Sequence, residues 1–280
     1  MRALRNSGTI SNDYKYMTNI STLQTLSVGR KSDERIIACL VDRRGNLPGV
    51  IWLPGLKSDM ISTKATALAE WASERGVSCT RFDYSGHGRS SGRFEDGTIG
   101  AWLEEADAVY SHLTEAPQIL VGSSTGGYIA LLLLRKLLDE RPQDASRIIG
   151  LVLIAPAWDL TTRLMWDRFP ESARRDLIEK GVYLRPSQYS DEPYAITRTF
   201  IEEGKQHLIG PSGFDPGRPV HVLHGLLDED VPWEHTLDLV SILHGDHVHV
   251  EAVPEGDHRL SQPENIELML RTVESLLPRS

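Results

Sequence analysis

Eight short runs of β-branched and apolar residues recur along the chain, and after the second of them helical spacing fills most of the intervals. The runs are residues 22–28, 35–41, 50–53, 77–82, 118–122, 148–155, 220–223 and 248–253. The first two read as a hairpin closed through residues 29–34. Helices are predicted over 59–73, 97–113, 125–140, 233–243 and 263–277. Met60, Ala67, Leu68 and Trp71 recur at helical intervals in the first of these, and Gly76 supplies a C-cap beyond it. Trp102, Leu103, Ala106 and Val109 share one side of the second. The run 148–155 carries no polar side chain, as expected of a strand covered on both faces. Such alternation implies an α/β architecture: an eight-stranded, mostly parallel sheet with helices on both faces.

Residues 158–210 break the alternation, at a length beyond a normal connection. They mix both charges with aromatics, including Trp158, Trp166, Phe169, Tyr183 and Phe200, and their spacing is helical in places. We read them as a helical cap inserted over the C-terminal edge of the sheet, where open parallel sheets bind ligands. Residues 21–157 and 211–280 then form the core, and residues 1–20 a flexible tail. The tail lacks the apolar segment and cleavage pattern of a secretory signal. Arg2 and Arg5, with no acid before Asp13, give it a weak transit-peptide character, and Met17 is an alternative start.

Composition narrows the function. A net charge of −9 lacks the electrostatic footprint of a phosphate-backbone binder, so no nucleic-acid partner is expected. The most apolar run, residues 128–134, ends at Arg135 and Lys136 and is too short to span a membrane. Two cysteines, Cys39 and Cys79, cannot build a disulfide framework or a Cys-rich zinc site. Both fall in strand-like runs and read as buried free thiols, which suits a reducing cytoplasm.

The sharpest motif is Gly122-Ser123-Ser124-Thr125-Gly126-Gly127, a G-x-S-x-G pattern between a predicted strand and a predicted helix. There Ser124 must take a strained backbone conformation to lift its hydroxyl clear of the sheet edge. The helix opening at Thr125 aims its N–H groups at the same point. Ser123 competes, but its frame lacks the glycine two residues earlier. A serine hydroxyl needs a base, normally a histidine oriented by a carboxylate, in the chain order Ser, acid, His. Asp228 follows the strand 220–223 and His258 follows the strand 248–253. Parallel strands share a direction, so both loops leave the edge that carries Ser124. Asp230 and Glu229 are the rival acids, and the Gly-x-x-Asp-x-x-Val spacing favours Asp228. His235 is the rival base, read as a solvent-facing helix residue; His224 and His87 read as structural or pocket-lining.

Acyl transfer also needs backbone N–H groups waiting for the oxyanion. Thr125 is one candidate donor. The other is Leu56, in the loop Pro54-Gly55-Leu56-Lys57-Ser58. Lys57 reads as a solvated surface lysine.

Ser124, Asp228 and His258 in that order, with the Gly55-Leu56 turn, resemble the α/β-hydrolase superfamily over roughly residues 23–277. The segment Asp83-Tyr84-Ser85-Gly86-His87-Gly88-Arg89-Ser90 resembles the D-x-x-G-x-G-x-S turn of its lipase and serine-aminopeptidase-like members. Residues 53–60 and Lys64-Ala65 look like bacterial relatives of the mitochondrial abhydrolase-domain acyl-protein thioesterase. That resemblance implies depalmitoylation or acyl-glucuronide cleavage. Thr125 departs from the methionine or leucine common after the nucleophile in such proteins, which leaves its backbone role intact. The serine at position 124, where an aspartate would signal dehalogenase or epoxide-hydrolase chemistry, points to acyl transfer.

Gly86-x-Gly88 falls short of a dinucleotide fingerprint, and His244, His247 and His249 lack a supporting carboxylate cluster. No cofactor or metal is therefore expected. The expectation is a serine hydrolase that cleaves a carboxylic ester or acyl thioester through an acyl-enzyme. The alternatives are a serine peptidase of the same fold and a non-catalytic small-molecule-binding member of it.

Overall fold

A computed structural model describes residues 21–45, 48–186 and 192–278. The tail expected over residues 1–20, including the alternative start at Met17, lies outside the described residues.

All eight predicted strands join one sheet. In chain order its strands are β1 (Thr22–Val28), β2 (Arg35–Asp42), β3 (Gly49–Leu53), β4 (Cys79–Phe82), β5 (Gln118–Ser123) and β6 (Ile148–Ile154). Two further strands of the same sheet come after an insertion. That insertion carries a short separate hairpin of β7 (Val182–Arg185) and β8 (Tyr194–Thr197). The main sheet then resumes with β9 (Val220–Gly225) and β10 (Val248–Val253). Its spatial order is β1-β2-β4-β3-β5-β6-β9-β10. β2 pairs antiparallel with both β1 and β4, and every other neighbouring pair is parallel.

The helices are α1 (Thr63–Glu74), α2 (Ile99–Leu113), α3 (Thr125–Glu140), α4 (Pro142–Ala145), α5 (Glu171–Lys180), α6 (Arg198–Gly204), α7 (Trp233–Ile242) and α8 (Pro263–Ser275). They divide the core in two because the central strands bury both faces. Leu120, Leu151 and Leu153 pack with α2 and α3 on one face. Ile119, Val121, Val152 and Ile154 pack with α1 and α8 on the other. This two-sided burial is why these strands read as continuous apolar runs.

Where boundaries differ from expectation, a tertiary partner takes the backbone group that a longer element would need. Met60 N–H donates to Asp83 Oδ1 at 2.7 Å and Ile61 N–H to Asp59 Oδ1 at 3.0 Å, so α1 begins only after Ser62. Val77 N–H closes α1 by donating to Ala72 O at 2.9 Å, so β4 starts two residues later than predicted. Thr98 caps α2, accepting from Ala101 N–H at 3.1 Å, and holds Gly97 outside it.

The insertion is not helical throughout. Besides α5 and α6 it holds the β7–β8 hairpin and a π-helical segment, Leu160–Trp166. Asp159 ties its two ends together, accepting Ile209 N–H at 2.7 Å and Gly210 N–H at 3.0 Å. Tyr128 on α3 donates to His207 O at 2.8 Å, and Phe200 packs on Trp102 of α2 at 5.5 Å between ring centroids.

His235 corrects the sequence reading. It is only 6% exposed, stacked on Trp158 at 5.0 Å, and its Nε2–H donates to Trp158 O at 2.9 Å. Trp158 Nε1–H answers by donating to His235 O at 2.8 Å. Burial, helped by the nearby Arg163 guanidinium, pushes the imidazole down from 6.5 to about 4. The unfolded chain therefore binds a proton between those values that the folded chain refuses, and stability falls as pH drops through that window. Full loss corresponds to about 3 kcal/mol. His235→Gln keeps the donor to Trp158 O without the titration. Urea melts between pH 7 and pH 4 should show a shallower loss of stability for this variant than for the native chain.

Both cysteines are free and buried, as expected. Burial pushes the Cys79 thiol up to about 12 and the Cys39 thiol higher still, which makes both poor nucleophiles.

Candidate active site

β5 ends at Ser123 and α3 begins at Thr125, leaving Ser124 between them at φ 54° and ψ −118°. A non-glycine residue held there stores strain of about 1–3 kcal/mol, so the surroundings must over-determine it. Ser124 N–H donates to Ile154 O at 2.8 Å, and its carbonyl accepts Gly127 N–H at 3.0 Å and Ala157 N–H at 3.1 Å. The flanking glycines are steric requirements. A Cβ on Gly126 would lie 2.0 Å from Leu53 O, and one on Gly122 would lie 2.5 Å from Gly126 O.

Two more loops meet this turn. At the end of β9 and just beyond β10 the chain closes at Gly225 and Gly256, where a Cβ on Gly225 would sit 2.2 Å from Gly256 O. This contact brings the Asp228 and His258 loops together. Asp228 Oδ1 accepts Asp230 N–H at 2.9 Å and Val231 N–H at 2.8 Å. Its Oδ2 lies 2.7 Å from His258 Nδ1, and His258 Nε2 lies 3.1 Å from Ser124 Oγ. A carboxylate can only accept, so the proton sits on Nδ1 and the Nε2 lone pair faces the Ser124 hydroxyl. This arrangement can draw a proton from the hydroxyl and steady the resulting imidazolium.

The rivals lie nearby, but their side chains make none of these bonds. Ser123 is 8% exposed and lines the same cavity, but His258 points at Ser124. Glu229 is exposed, and the Asp230 carboxylate lies 3.8 Å from Arg185 Nη2. His224 is fully buried with Nε2 3.8 Å from Asp228 Oδ2, a neighbour that spacing alone did not reveal. Its Nε2–H donates to Val231 O at 3.0 Å and its Nδ1 accepts from the Thr236 hydroxyl at 2.8 Å. Burial lowers its pKa, so it backs the Asp228 loop as a neutral ring.

Asp228, Asp230 and His258 bring their ligand atoms within 4.8 Å of one another, a spacing that can hold a cation. The Asp228 oxygens, however, already accept two backbone N–H groups and the His258 ring N–H. Of the three histidines weighed as ligands, His249 stacks on His221 at 4.9 Å between centroids.

The predicted oxyanion loop is a tight turn pressed against Ser124. Ser58 N–H donates to Gly55 O at 3.1 Å, and a Cβ on Gly55 would lie 3.1 Å from Ser123 O and 3.4 Å from Ser124 Cβ. Lys57 N–H is taken by His87 Nε2 at 3.1 Å. Leu56 N–H and Thr125 N–H make no turn or loop hydrogen bond among the described residues. Lys57 is exposed, as expected, with Nζ 4.8 Å from the centre of the Phe94 ring.

The segment after β4 braces this turn. Asp83 accepts Met60 N–H at 2.7 Å and Arg89 N–H at 2.8 Å, joining two loops through one carboxylate. Burial outweighs those hydrogen bonds and pushes Asp83 up to about 6.

A cavity of about 340 Å³ opens over Ser124. Its apolar lining is Ala157, Leu160, Leu164, Met165 and Val231. Its polar lining mixes both charges, with Lys64, Arg185 and Arg259 as well as Glu192 and Asp230, and Ser62, Ser261 and His258. Lys64 Nζ donates to Arg259 O and lies 3.4 Å from Ser261 Oγ. Burial, reinforced by the Arg259 charge and opposed by Asp257, pushes Lys64 down to about 8. Trp52 Nε1, Ser62 Oγ and Thr125 Oγ1 also belong to cavity residues and have no hydrogen-bond partner among the described residues.

Comparison with known proteins establishes the family and the fold. Residues 50–195 match the family described as serine aminopeptidase, S33. The chain is 34% identical to palmitoyl-protein thioesterase ABHD10, mitochondrial, of Homo sapiens over 237 residues, 84% of this chain and 75% of that one. The Bos taurus protein of the same name is 35% identical over 238 residues, with the same coverage of both chains. A putative hydrolase from Agrobacterium vitis S4 has a crystal structure that superposes with a TM-score of 0.88 at 43% identity, covering 92% of this chain and 99% of that one. Alpha/beta hydrolase domain-containing protein 10 from mouse superposes with a TM-score of 0.78 at 32% identity, covering 90% and 97%. Among the described residues no helix is long and apolar enough to cross a membrane. The curated relatives are named mitochondrial, so the cytoplasmic expectation drawn from the two thiols gains no support from them.

Proposed function

Because the chain belongs to the serine aminopeptidase S33 family of α/β-hydrolases and is 34% identical to the ABHD10 thioesterase of Homo sapiens, we propose that it cleaves acyl thioesters or carboxylic esters through Ser124, His258 and Asp228. The observation that carries this reading is the unbroken hydrogen-bonded series from Ser124 Oγ to His258 at 3.1 Å and from His258 to Asp228 at 2.7 Å, at the floor of an open cavity.

In this mechanism Ser124 Oγ attacks the acyl carbon while its proton passes to His258 Nε2. Asp228 accepts the Nδ1–H throughout and stabilises the charged ring. The carbonyl oxygen becomes an oxyanion held by Leu56 N–H and Thr125 N–H, each donor contributing about 10²- to 10³-fold in rate. Collapse breaks the bond to the leaving sulfur or oxygen, which takes the proton from Nε2. An acyl group then remains on Ser124. A water molecule gives its proton to His258 and attacks, the carboxylic acid departs, and Ser124 recovers its hydrogen. Residues 158–210 act as the cap over this site, with residues 21–157 and 211–280 as the core that carries it.

The residues around His258 suggest how the two halves of the substrate lie in this reading. Arg259 and Ser261 follow His258, the group that protonates the leaving atom, and Lys64 is bonded to both, so in this reading the leaving group lies near Lys64 and Arg259 and the acyl group against Leu160, Leu164 and Met165. An ester whose leaving group carries a carboxylate, such as an acyl glucuronide, should bind better while Lys64 is charged. Its KM should rise above a pH of about 8, where Lys64 loses its proton. The KM of a neutral p-nitrophenyl ester should not follow. Lys64→Met should remove the pH dependence for the anionic substrate and leave the neutral one nearly unaffected.

The reading is tested by a panel of p-nitrophenyl esters from acetate to palmitate, a palmitoyl thioester, an acyl glucuronide and aminoacyl p-nitroanilides. Turnover of thioesters and esters, with kcat/KM varying with acyl length, is expected. Faster cleavage of the p-nitroanilides would favour a peptidase and overturn it.

A further inference from the structure

The turn from Gly55 to Ser58 is held in a conformation that its own sequence disfavours. Gly55 and Ser58 are joined by the 3.1 Å hydrogen bond that closes a β-turn, and Lys57, its third residue, has φ 60°. Leu56 is not among the positive-φ residues. A negative φ followed by a positive one defines a type II turn, whose third position calls for glycine. A lysine there relaxes by rotating the Leu56–Lys57 peptide plane, which converts the turn to type I and returns φ to about −90°.

His87 opposes that rotation. Its Nε2 accepts the Lys57 N–H at 3.1 Å, and the rotated peptide would offer the Leu56 carbonyl to this acceptor instead. The ring itself is fixed. Its Nδ1–H donates to Ser85 O at 3.1 Å, which leaves Nε2 as the acceptor. Phe94 and Trp102 pack against it in T-shaped contacts, each with centroids 5.3 Å away, and Tyr84 lies at 6.3 Å. Burial lowers the imidazole pKa, so the ring stays neutral and keeps its lone pair.

We propose that His87 is a positioning residue for the oxyanion turn: by accepting the Lys57 N–H it locks the Leu56–Lys57 peptide in the type II form and so steadies the adjoining Gly55–Leu56 peptide, whose N–H is the oxyanion donor and whose Gly55 end is pressed on Ser123 and Ser124. This rests on the hydrolase reading above, in which Leu56 N–H binds the oxyanion. His87 touches no reacting atom. Its contribution enters through the turn and so falls on transition-state stabilisation more than on substrate binding.

The test uses kcat and KM on p-nitrophenyl butyrate for variants of the full chain, with thermal melts alongside. His87→Phe preserves the ring contacts and removes the acceptor. It should lower kcat about 10- to 100-fold, the range of losing part of one oxyanion donor, with KM changed less than about threefold. His87→Gln, which returns an acceptor oxygen, should recover much of the loss. Adding Lys57→Gly to His87→Phe should also recover it, because glycine takes the positive φ without help. Lys57→Gly and Lys57→Val in the native background lose the same charge, yet only the valine variant should be slow. This pair keeps the test decisive if His87→Phe melts too low to assay. Full kcat in His87→Phe, no recovery on adding Lys57→Gly, or equal rates for Lys57→Gly and Lys57→Val would each overturn the proposal. Activity surviving in Ser124→Ala would instead overturn the hydrolase reading itself, so the two failures are distinguishable.

Discussion

Ser124→Ala is expected to lower kcat/KM on esters and thioesters by about 10⁴- to 10⁶-fold, the range seen when a triad nucleophile is deleted and only the oxyanion donors and binding contacts remain. The loss should fall on kcat, because the cavity walls that bind substrate are untouched. The backbone at position 124 sits at φ 54° whatever the side chain, pinned by the Ser124 N–H bond to Ile154 O at 2.8 Å. The alanine variant should therefore fold, and its melting temperature should stay close to that of the native chain. Steady-state kinetics beside a thermal melt checks both halves. A slow variant that also melts early would indicate a damaged fold rather than a missing nucleophile.

Gly126→Ala carries a large expected structural effect at the site itself. The added Cβ would meet Leu53 O at 2.0 Å, Leu53 C at 2.5 Å and Pro54 O at 2.6 Å. All three are backbone atoms, so no side chain can swing aside. Either α3 or the end of β3 must move, and those two elements carry Ser124 and the oxyanion turn. A cost of about 4 kcal/mol or more is expected, in the class of severe overpacking and strain at a special backbone site. Urea unfolding should show the lower midpoint, and ester hydrolysis should be nearly lost in the fraction that remains folded. By contrast, Gly76 has open space around its missing side chain and tolerates substitution limited only by its φ of 66°.

Much of this arrangement is legible from residue types and order alone. The sheet strands announce themselves most clearly where both faces are buried, as in the run 148–155, which carries no polar side chain. Ser124, Asp228 and His258 can be assigned to one edge because parallel strands release their C-terminal loops in the same direction. The Gly-rich flanks of Ser124 mark a close approach of backbones, and the contact of Gly126 with Leu53 is that approach.

What escapes the sequence is decided by partners far along the chain. His235 carries helical spacing that suits a surface, yet Trp158, itself the first residue of the insertion, covers it and accepts its proton. Glu105 looks like one more helix acid, but it is fully buried, accepting Ser85 N–H at 2.9 Å and pairing with Arg35 at 2.7 Å. Arg81, 1% exposed, gives its guanidinium to Met60 O at 3.0 Å. The β7–β8 hairpin escapes because its strands are four residues each, too short for an alternating pattern to stand out. His87 stands in a recognisable motif, but its bond to Lys57 depends on where two separate loops meet.

The central claim, that Ser124 is the nucleophile driven by His258, is tested most directly by covalent capture. The native chain is incubated with a fluorophosphonate probe, digested, and mapped by mass spectrometry. The account predicts one adduct, on Ser124, formed quickly in the native chain, slowly in His258→Ala and not at all in Ser124→Ala. An adduct on another residue, equal labelling of Ser124→Ala, or a native chain that stays unlabelled would contradict it.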